Sequence, residues 1–258
     1  MGTQVDKAGL FRSLHAGAQP LVLYNAWDPG SARAVAEAGA RAIATGSWSV
    51  AAAHGYADGE RMPLALALDN LARMVVATPL PVTVDLEGGY GATAAEVGAT
   101  VAGAIEAGAV GCNLEDSEPA AGGLRAIADQ AARLVQARAA ATAAGVPLFV
   151  NARTDVFLQS PPQAHDAALV ELALERGRAY AAAGADGLFV PGLADEALIA
   201  TLVRGSPLPV NVMVGPGAPS LQRLAALGVA RVSHGPGPYL AAMRDLRQAT
   251  MQAMAIEP

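Results

Sequence analysis

Two kinds of segment alternate along the chain, and they follow different periodicities. The runs PLVLYNA, PVTVDLE, PLFVNARTD and PLPVNVMVG are β-branched or apolar, with polar positions recurring every second residue where they appear, which is the pattern of strands. The stretches AEAGARAIATG, IEAGAVGCNLED, AAAGADGLFVPG and AALGVARVSHG pass from alanine-rich helix through a glycine into a short β-rich run. Glycine at that point suits a helix C-terminus followed by a tight turn. Together they predict strands near 20–25, 42–46, 81–86, 111–115, 148–153, 187–191, 209–214 and 230–234, with helical segments between nearly all of them. Strand and helix alternating in this way predict an α/β fold with a parallel sheet. Eight units in a chain of this length favour a closed (β/α)8 TIM-type barrel over an open doubly wound sheet.

No Gly-, Ser- or Pro-rich linker divides the sequence, so a single barrel domain over residues 1–258 is expected, ending in a helix at about 238–254. That helix either closes the barrel or packs on a neighbouring subunit. Composition narrows the picture further. Hydrophobic residues make up 53% of the chain and aromatics 4%, so the core must be built from Ala, Val, Leu and Ile. The net charge is −6 and the Lys and Arg residues are scattered, which argues against a nucleic-acid partner. No apolar run approaches the ~20 residues of a membrane span. A single cysteine excludes an internal disulfide, and no cleavable leader precedes the first strand, so a soluble cytoplasmic protein is expected.

The candidate chemistry lies at strand ends. Alternation in PVTVDLE puts Val82, Val84 and Leu86 on one face and Thr83, Asp85 and Glu87 on the other. The apolar face must meet the helices, so both carboxylates are expected to point inward at the C-terminal end of the strand. GCNLED repeats the pattern with Asn113 and Glu115, LFVNAR with Asn151 and Arg153, and strand seven adds Asn211. Any one pair could be a solvated strand end, but three adjacent strands converge. Carboxylates brought together need a proton or a cation among them. Oxygen ligands without His or Cys suit Mg2+, with Mn2+ as the alternative, rather than zinc. Arg153 then either offers a planar fork to an anionic ligand or pairs with Asp155 or Glu115. Cys112 falls on the apolar face and reads as structural, as does His234. His54 and His165 read as loop or helix-surface residues. EGGYG is no P-loop, because no Gly-Lys-Ser/Thr follows it.

In order and spacing, VDLEGGYG, NLEDS and NARTD resemble the phosphoenolpyruvate mutase/isocitrate lyase superfamily, and NAWDPGSARAVAEAGARAIATGSW resembles its first two strands. The resemblance implies a (β/α)8 barrel whose last helix is exchanged between subunits of a homotetramer. It implies Mg2+ and a small anionic α-keto acid, with a bond made or broken beside a metal-stabilised enolate. By position, Asp85 matches the direct metal ligand, and Glu87 and Glu115 match carboxylates that hold the ion through water. Arg153 matches the arginine on the substrate carboxylate. Ser47 and Trp48 match backbone donors to that carboxylate, Asp58 matches an acidic residue near the reacting centre, and Tyr24, Asn25 and Asn211 match pocket-lining positions.

This chain departs from the pattern after strand four. The lyases' Lys-Lys-Cys-Gly-His segment is replaced by SEPAAGGLRAIAD, and the lysine and asparagine of the phosphonopyruvate enzymes are missing there too. That segment offers Glu118, Arg125 and Asp129 instead. The expectation is therefore a Mg2+-dependent carbon–carbon lyase acting on a small α-keto or α-hydroxy dicarboxylate such as oxaloacetate, by cleavage or decarboxylation. Phosphonopyruvate mutase or hydrolase, (methyl)isocitrate lyase-like activity and a non-catalytic keto-acid binder are the alternatives.

Overall fold

The computed structural model describes residues 2–118, 122–215 and 217–254. Eight strands lie within the predicted spans: β1 Leu21–Leu23, β2 Ile43–Ala44, β3 Val82–Asp85, β4 Gly111–Glu115, β5 Phe149–Arg153, β6 Gly187–Val190, β7 Val210–Met213 and β8 Arg231–Ser233. All pair in parallel in the order β1-β8-β7-β6-β5-β4-β3-β2. The seam between β1 and β2 closes by the single bridge Ala26–Thr45, with the Ala26 N–H donating to the Ala44 carbonyl at 2.8 Å. The fold is thus the (β/α)8 barrel that the periodicity predicts.

The four glycine echoes do the same job in each unit. Gly39, Gly108, Gly184 and Gly228 have φ of 92°, 100°, 95° and 81°, a left-handed conformation that a Cβ disfavours. They follow helices α2 (Pro29–Glu37), α5 (Ala94–Glu106), α7 (Ala167–Ala182) and α9 (Leu221–Ala226), and turn the chain into the next strand. The starts of these helices are fixed by side chains: Asp28, Thr93, Asp166 and Ser220 each accept an N–H from the first turn. The β2–β3 connection carries two helices, α3 (Ser47–Ala53) and α4 (Leu64–Ala77), while α6 (Ile127–Ala144) and α8 (Glu196–Gly205) complete the outer ring.

An N-terminal helix, α1 (Gln4–Leu14), was not anticipated from the repeat. Its sequence signal is Thr3-Gln-Val-Asp6, a reciprocal cap in which Thr3 accepts from the Asp6 N–H and Asp6 from the Thr3 N–H. Its buried Phe11 plugs the barrel at the N-terminal ends of the strands. The Phe11 ring meets Phe149 edge-on at 5.7 Å, and His15 stacks on Phe149 at 3.9 Å. Only glycine fits at the start of β4, where a Cβ on Gly111 would stand 2.8 Å from the Phe11 ring. The last helix described is α10 (Gly237–Met254). Within it only Pro238 is buried, and Leu240, Leu246, Met251 and Met254 are exposed.

Candidate active site

At the opposite, C-terminal end of the strands lies a cavity of about 190 Å3. Six of the residues predicted from sequence line it: Asn25, Ser47, Trp48, Asp58, Asp85 and Arg153. Asp85 is the last residue of β3, and the register of the barrel sets it beside Asn113. Its Oδ2 accepts the Ser47 N–H at 3.3 Å and the Ser47 Oγ–H at 3.2 Å. Ser47 opens α3, whose N-cap Gly46 has no side chain to cap it, so Asp85 is the acceptor for the Ser47 N–H and the N-cap supplies none to the rest of the first turn. Trp48 lies beside them, its ring edge-on to Tyr239 of α10 at 5.9 Å.

Arg153 adopts the ion-paired alternative. Asp155 takes its Nε–H at 2.6 Å and an Nη2–H at 2.9 Å, and Glu115 lies 2.7 Å from Nη1. Burial works against the charge, yet these two carboxylates hold the Arg153 proton above the ordinary arginine range. One N–H on each Nη is left over, so the fork is held in place by its neighbours and still has hydrogens for an anion.

Four of the predicted residues lie outside the cavity lining. Glu87 does not point into the cavity with Asp85. Strand β3 ends at Asp85, and Glu87 sits at φ 53°, so the two-residue alternation no longer applies to it. Its Oε2 accepts the Gly59 and Glu60 N–H groups at 2.8 and 2.6 Å, and its Oε1 accepts the Tyr90 hydroxyl at 2.8 Å. Glu87 therefore staples the loop that carries Asp58. Glu115 is also outside the lining, tied to Arg153 and to the Ser117 hydroxyl. Tyr24 follows the inward Leu23 and so faces out, half exposed, with its ring 5.0 Å from His234. Asn211 is buried below the cavity and accepts the Ser233 hydroxyl at 3.2 Å. Of the three carboxylates expected around a cation, Asp85 alone lines the cavity, and Glu87 and Glu115, expected to act through water, stand outside the lining; no group of three or more His, Cys, Asp or Glu side chains suited to a metal ion occurs among the described residues.

Asn25 lines the cavity, but its polar atoms are used by the fold. Its Nδ2 donates to the Thr45 carbonyl at 2.8 Å, and its Oδ1 accepts the His234 and Gly235 N–H groups at 3.0 and 2.9 Å. It fastens β2 and β8 across the seam where the ladder is weakest. Asn113 is the floor residue that sequence reasoning noticed but did not place in the site. Its Oδ1 accepts from Asn151 at 2.9 Å and from Arg231 at 3.3 Å, which leaves its Nδ2 as the end available to the cavity. Alternation carried that signal, since Asn113 shares a face with Glu115.

The remaining titratable groups take no part in the lining. Burial pushes the Cys112 thiol up to about 12, and its side chain is wholly enclosed. His54 and His165 are bound to the carbonyls of Val50 and Phe157 at 2.8 and 2.9 Å. In the loop after β4, Arg125 pairs with Glu118 at 3.1 Å and reaches the Ser117 carbonyl, while residues 119–121 lie outside the described residues. Fully buried Asp116 accepts from Arg176, Tyr180 and the Asp155 N–H, and so fixes the residue that holds Arg153.

Negative charge is crowded at this end. Lost hydration first, and then Asp85, hold the Asp58 carboxyl above its usual range. Burial likewise raises Glu87, to about 7, and Glu115, with the Asp85 charge adding to both. Asp85, unlike Glu87 and Glu115, both lines the cavity and keeps only long bonds to its oxygens. That donor set fits Mg2+, which takes one or two carboxylates and completes its shell with water and substrate oxygens.

The phosphoenolpyruvate phosphomutase family model matches residues 11–254. The chain belongs to this family. A solved structure from Burkholderia cenocepacia J2315, which bears the provisional name phosphonomutase, is 57% identical, with a TM-score of 0.94 over 97% of this chain and 99% of the other. An oxaloacetate decarboxylase of Ectopseudomonas mendocina is 30% identical over 259 residues, covering 96% of this chain and 84% of the relative. A phosphonopyruvate hydrolase solved with oxalate and Mg2+ shares the fold at 22% identity, with a TM-score of 0.84 over 95% of this chain and 86% of the other. The phosphomutase family sits in a superfamily of lyases and mutases, and this member is an enzyme of that superfamily. Among its described residues no helix is long and apolar enough to cross a membrane.

Proposed function

We propose that the chain is a Mg2+-dependent carbon–carbon lyase acting on a small 2-oxo or 2-hydroxy acid, with oxaloacetate among the candidates. The observation that carries the reading is the facing pair in one small cavity: Asp85, the lining carboxylate with unfilled oxygens, and Arg153, a pre-oriented fork. Asp85 would hold Mg2+, or Mn2+ in its place, with Glu115 and Glu87 acting from behind. Bound there, the ion would supply positive charge to the substrate's 2-oxygen, where negative charge grows as the adjacent bond breaks.

The chain's own groups do the rest. Arg153 and the first-turn N–H groups of α3 bind the substrate carboxylate and set its plane. Asn113 Nδ2 donates from the floor. Asp58, whose carboxyl keeps its proton more firmly than usual, delivers or removes a proton at the mouth. Glu87 and Tyr90 hold the Asp58 loop over the opening, so that bulk water is excluded while charge is exposed.

Product NMR with Mg2+ and a panel of oxaloacetate, isocitrate, methylisocitrate and phosphonopyruvate tests this. Carbon–carbon cleavage or decarboxylation is expected, and Asp85→Asn should lower kcat by about 10^3-fold. Full turnover by Asp85→Asn would sink the site assignment. The name of the 57% identical relative favours a P–C enzyme as the second reading. Against it, the only lysine in the chain is Lys7, on α1 at the far end of the barrel. Rapid phosphonopyruvate turnover, followed by phosphorus NMR, would reverse the order.

The reading includes a homotetramer in which α10 packs on a neighbouring subunit. The exposed apolar side chains Leu240, Leu246, Met251 and Met254 on that helix support it. Light scattering should return the mass of four chains, and a monomer would exclude it.

A further inference from the structure

The cavity lining is segregated around the barrel. From β2 to β5, Trp48 at the rim apart, its side chains are polar and charged: Ser47, Asp85, Asn113 and Arg153, with Asp58 also at the rim. From the loop after β5 to the loop after β8 it is apolar: Leu158, Phe189, Pro191, Met213 and Pro236. The polar atom on that side, the Ser233 hydroxyl, donates downward to Asn211 and away from the cavity. The wall is also firmly set, because Phe189 lies beneath the Arg153 guanidinium at 5.9 Å and Met213 packs so closely on Gly235 that a Cβ there would fall 2.5 Å from its sulfur.

Charge makes the same division. Arg153 is the only cationic side chain on the lining among the described residues, and it stands on the polar arc, already flanked by Glu115 and Asp155. A second carboxylate or a phosphonate on the far end of a ligand would meet an apolar wall with no counter-charge among its described lining residues. An ion moved from water onto such a surface loses its hydration without replacement. An alkyl group placed there instead gains roughly 4-fold in affinity for each buried methylene.

Building on the function proposed above, we propose that the substrate presents an alkyl group, not an anionic one, to the β6–β8 wall. Its class is therefore a small 2-oxo or 2-hydroxy acid with an alkyl substituent beside the reacting carbon, which narrows the candidates above and leaves oxaloacetate itself out. The carboxylate and 2-oxygen lie against Arg153, α3 and Asp85, and the alkyl group lies against Phe189 and Met213.

Calorimetric titration of the Mg2+-loaded protein with oxalate, pyruvate, 2-oxobutyrate, 2-oxopentanoate and 2-oxoglutarate tests this, and it does not require the substrate itself to be identified. Oxalate carries the head group alone. 2-Oxopentanoate and 2-oxoglutarate have the same chain length and differ in ending in methyl or carboxylate. The expected result is oxalate binding, affinity rising several-fold per methylene from pyruvate to 2-oxopentanoate, and 2-oxoglutarate binding at least about 10-fold more weakly than 2-oxopentanoate. Met213→Lys should then reverse that last preference. Met213→Ala, which leaves Phe189 in place beneath Arg153, should weaken 2-oxopentanoate several-fold while changing oxalate much less. Oxalate binding with 2-oxoglutarate equal to or tighter than 2-oxopentanoate would overturn the alkyl assignment alone. No binding of oxalate in the presence of Mg2+ would overturn the head-group site, and the alkyl assignment with it.

Discussion

Two arginines point into the barrel from its strands, Arg153 on β5 and Arg231 on β8, and they live under opposite conditions. Arg153, at the mouth, is held by Glu115 and Asp155 at 2.6–2.9 Å, and its proton is bound more firmly than usual. Arg231, rising from the lower end of β8, is 1% exposed, makes one side-chain bond of 3.3 Å to Asn113, and has Nε and Nη1 without a hydrogen-bond partner among the described residues. Burial pulls its pKa down to about 9. The same side chain is thus held as a firm cation at one end and merely tolerated at the other. Burial alone works against charge, and neighbouring carboxylates reverse the sign. At the mouth the carboxylates exceed the arginine in number, which leaves surplus negative charge for a cation to neutralise. At the floor the lone arginine has a smaller task, sharing the Asn113 oxygen with Asn151 and so turning the Asn113 amide nitrogen upward.

Removing each charge separately sharpens the contrast. Arg153→Met leaves Glu115 and Asp155 buried without their partner, and should destabilise the protein by about 3–5 kcal/mol in urea unfolding, besides abolishing turnover. Arg231→Met removes a buried charge that has no ion pair, and should stabilise by about 1–3 kcal/mol in the same experiment. Equal losses in the two variants would break the comparison.

The floor also predicts a pH effect. Burial first, and then the Arg231 charge, hold the His15 ring down to about 3 from its usual 6.5. The folded state then binds fewer protons than the unfolded state between those values, so stability is complete above about pH 6.5 and falls as pH drops toward 3. The contribution is about 1.4 kcal/mol per pH unit within that window. His15→Leu should flatten this part of the stability profile, and an unchanged slope would exclude His15 as its source. The smallest expected effect lies back at the mouth. Tyr90→Phe removes one of three bonds to Glu87, should cost about 1 kcal/mol, and should quicken amide exchange at Gly59 and Glu60 without altering the exchange of β3.

Much of the framework was legible in the sequence. Alternation found the eight strands, and four glycines with φ near 90° marked the turns that feed them. Alternation also set Asp85 and Arg153 inward correctly, because each is the last residue of an extended strand. It failed for Glu87, one step beyond the strand, where φ turns positive and the carboxylate swings onto the Asp58 loop. Helix α1 was missed because it stands outside the repeat, although its cap was written in Thr3 and Asp6.

The sequence by itself determined the elements, their parallel order and which side chains point inward, since these depend on local periodicity and on backbone preferences at single residues. Only the tertiary structure decided which inward groups are free. Asn25 is used to close a seam, Asn211 lies a layer too deep, and Arg153 is engaged by one carboxylate just beyond its own strand and one from the neighbouring strand. Depth along the barrel follows from strand register, and availability follows from hydrogen bonds between residues as many as 210 positions apart. Neither is a property of a short stretch of chain, so a polar residue can be read as inward from its neighbours, but whether it can meet a ligand is settled only when the barrel closes around it.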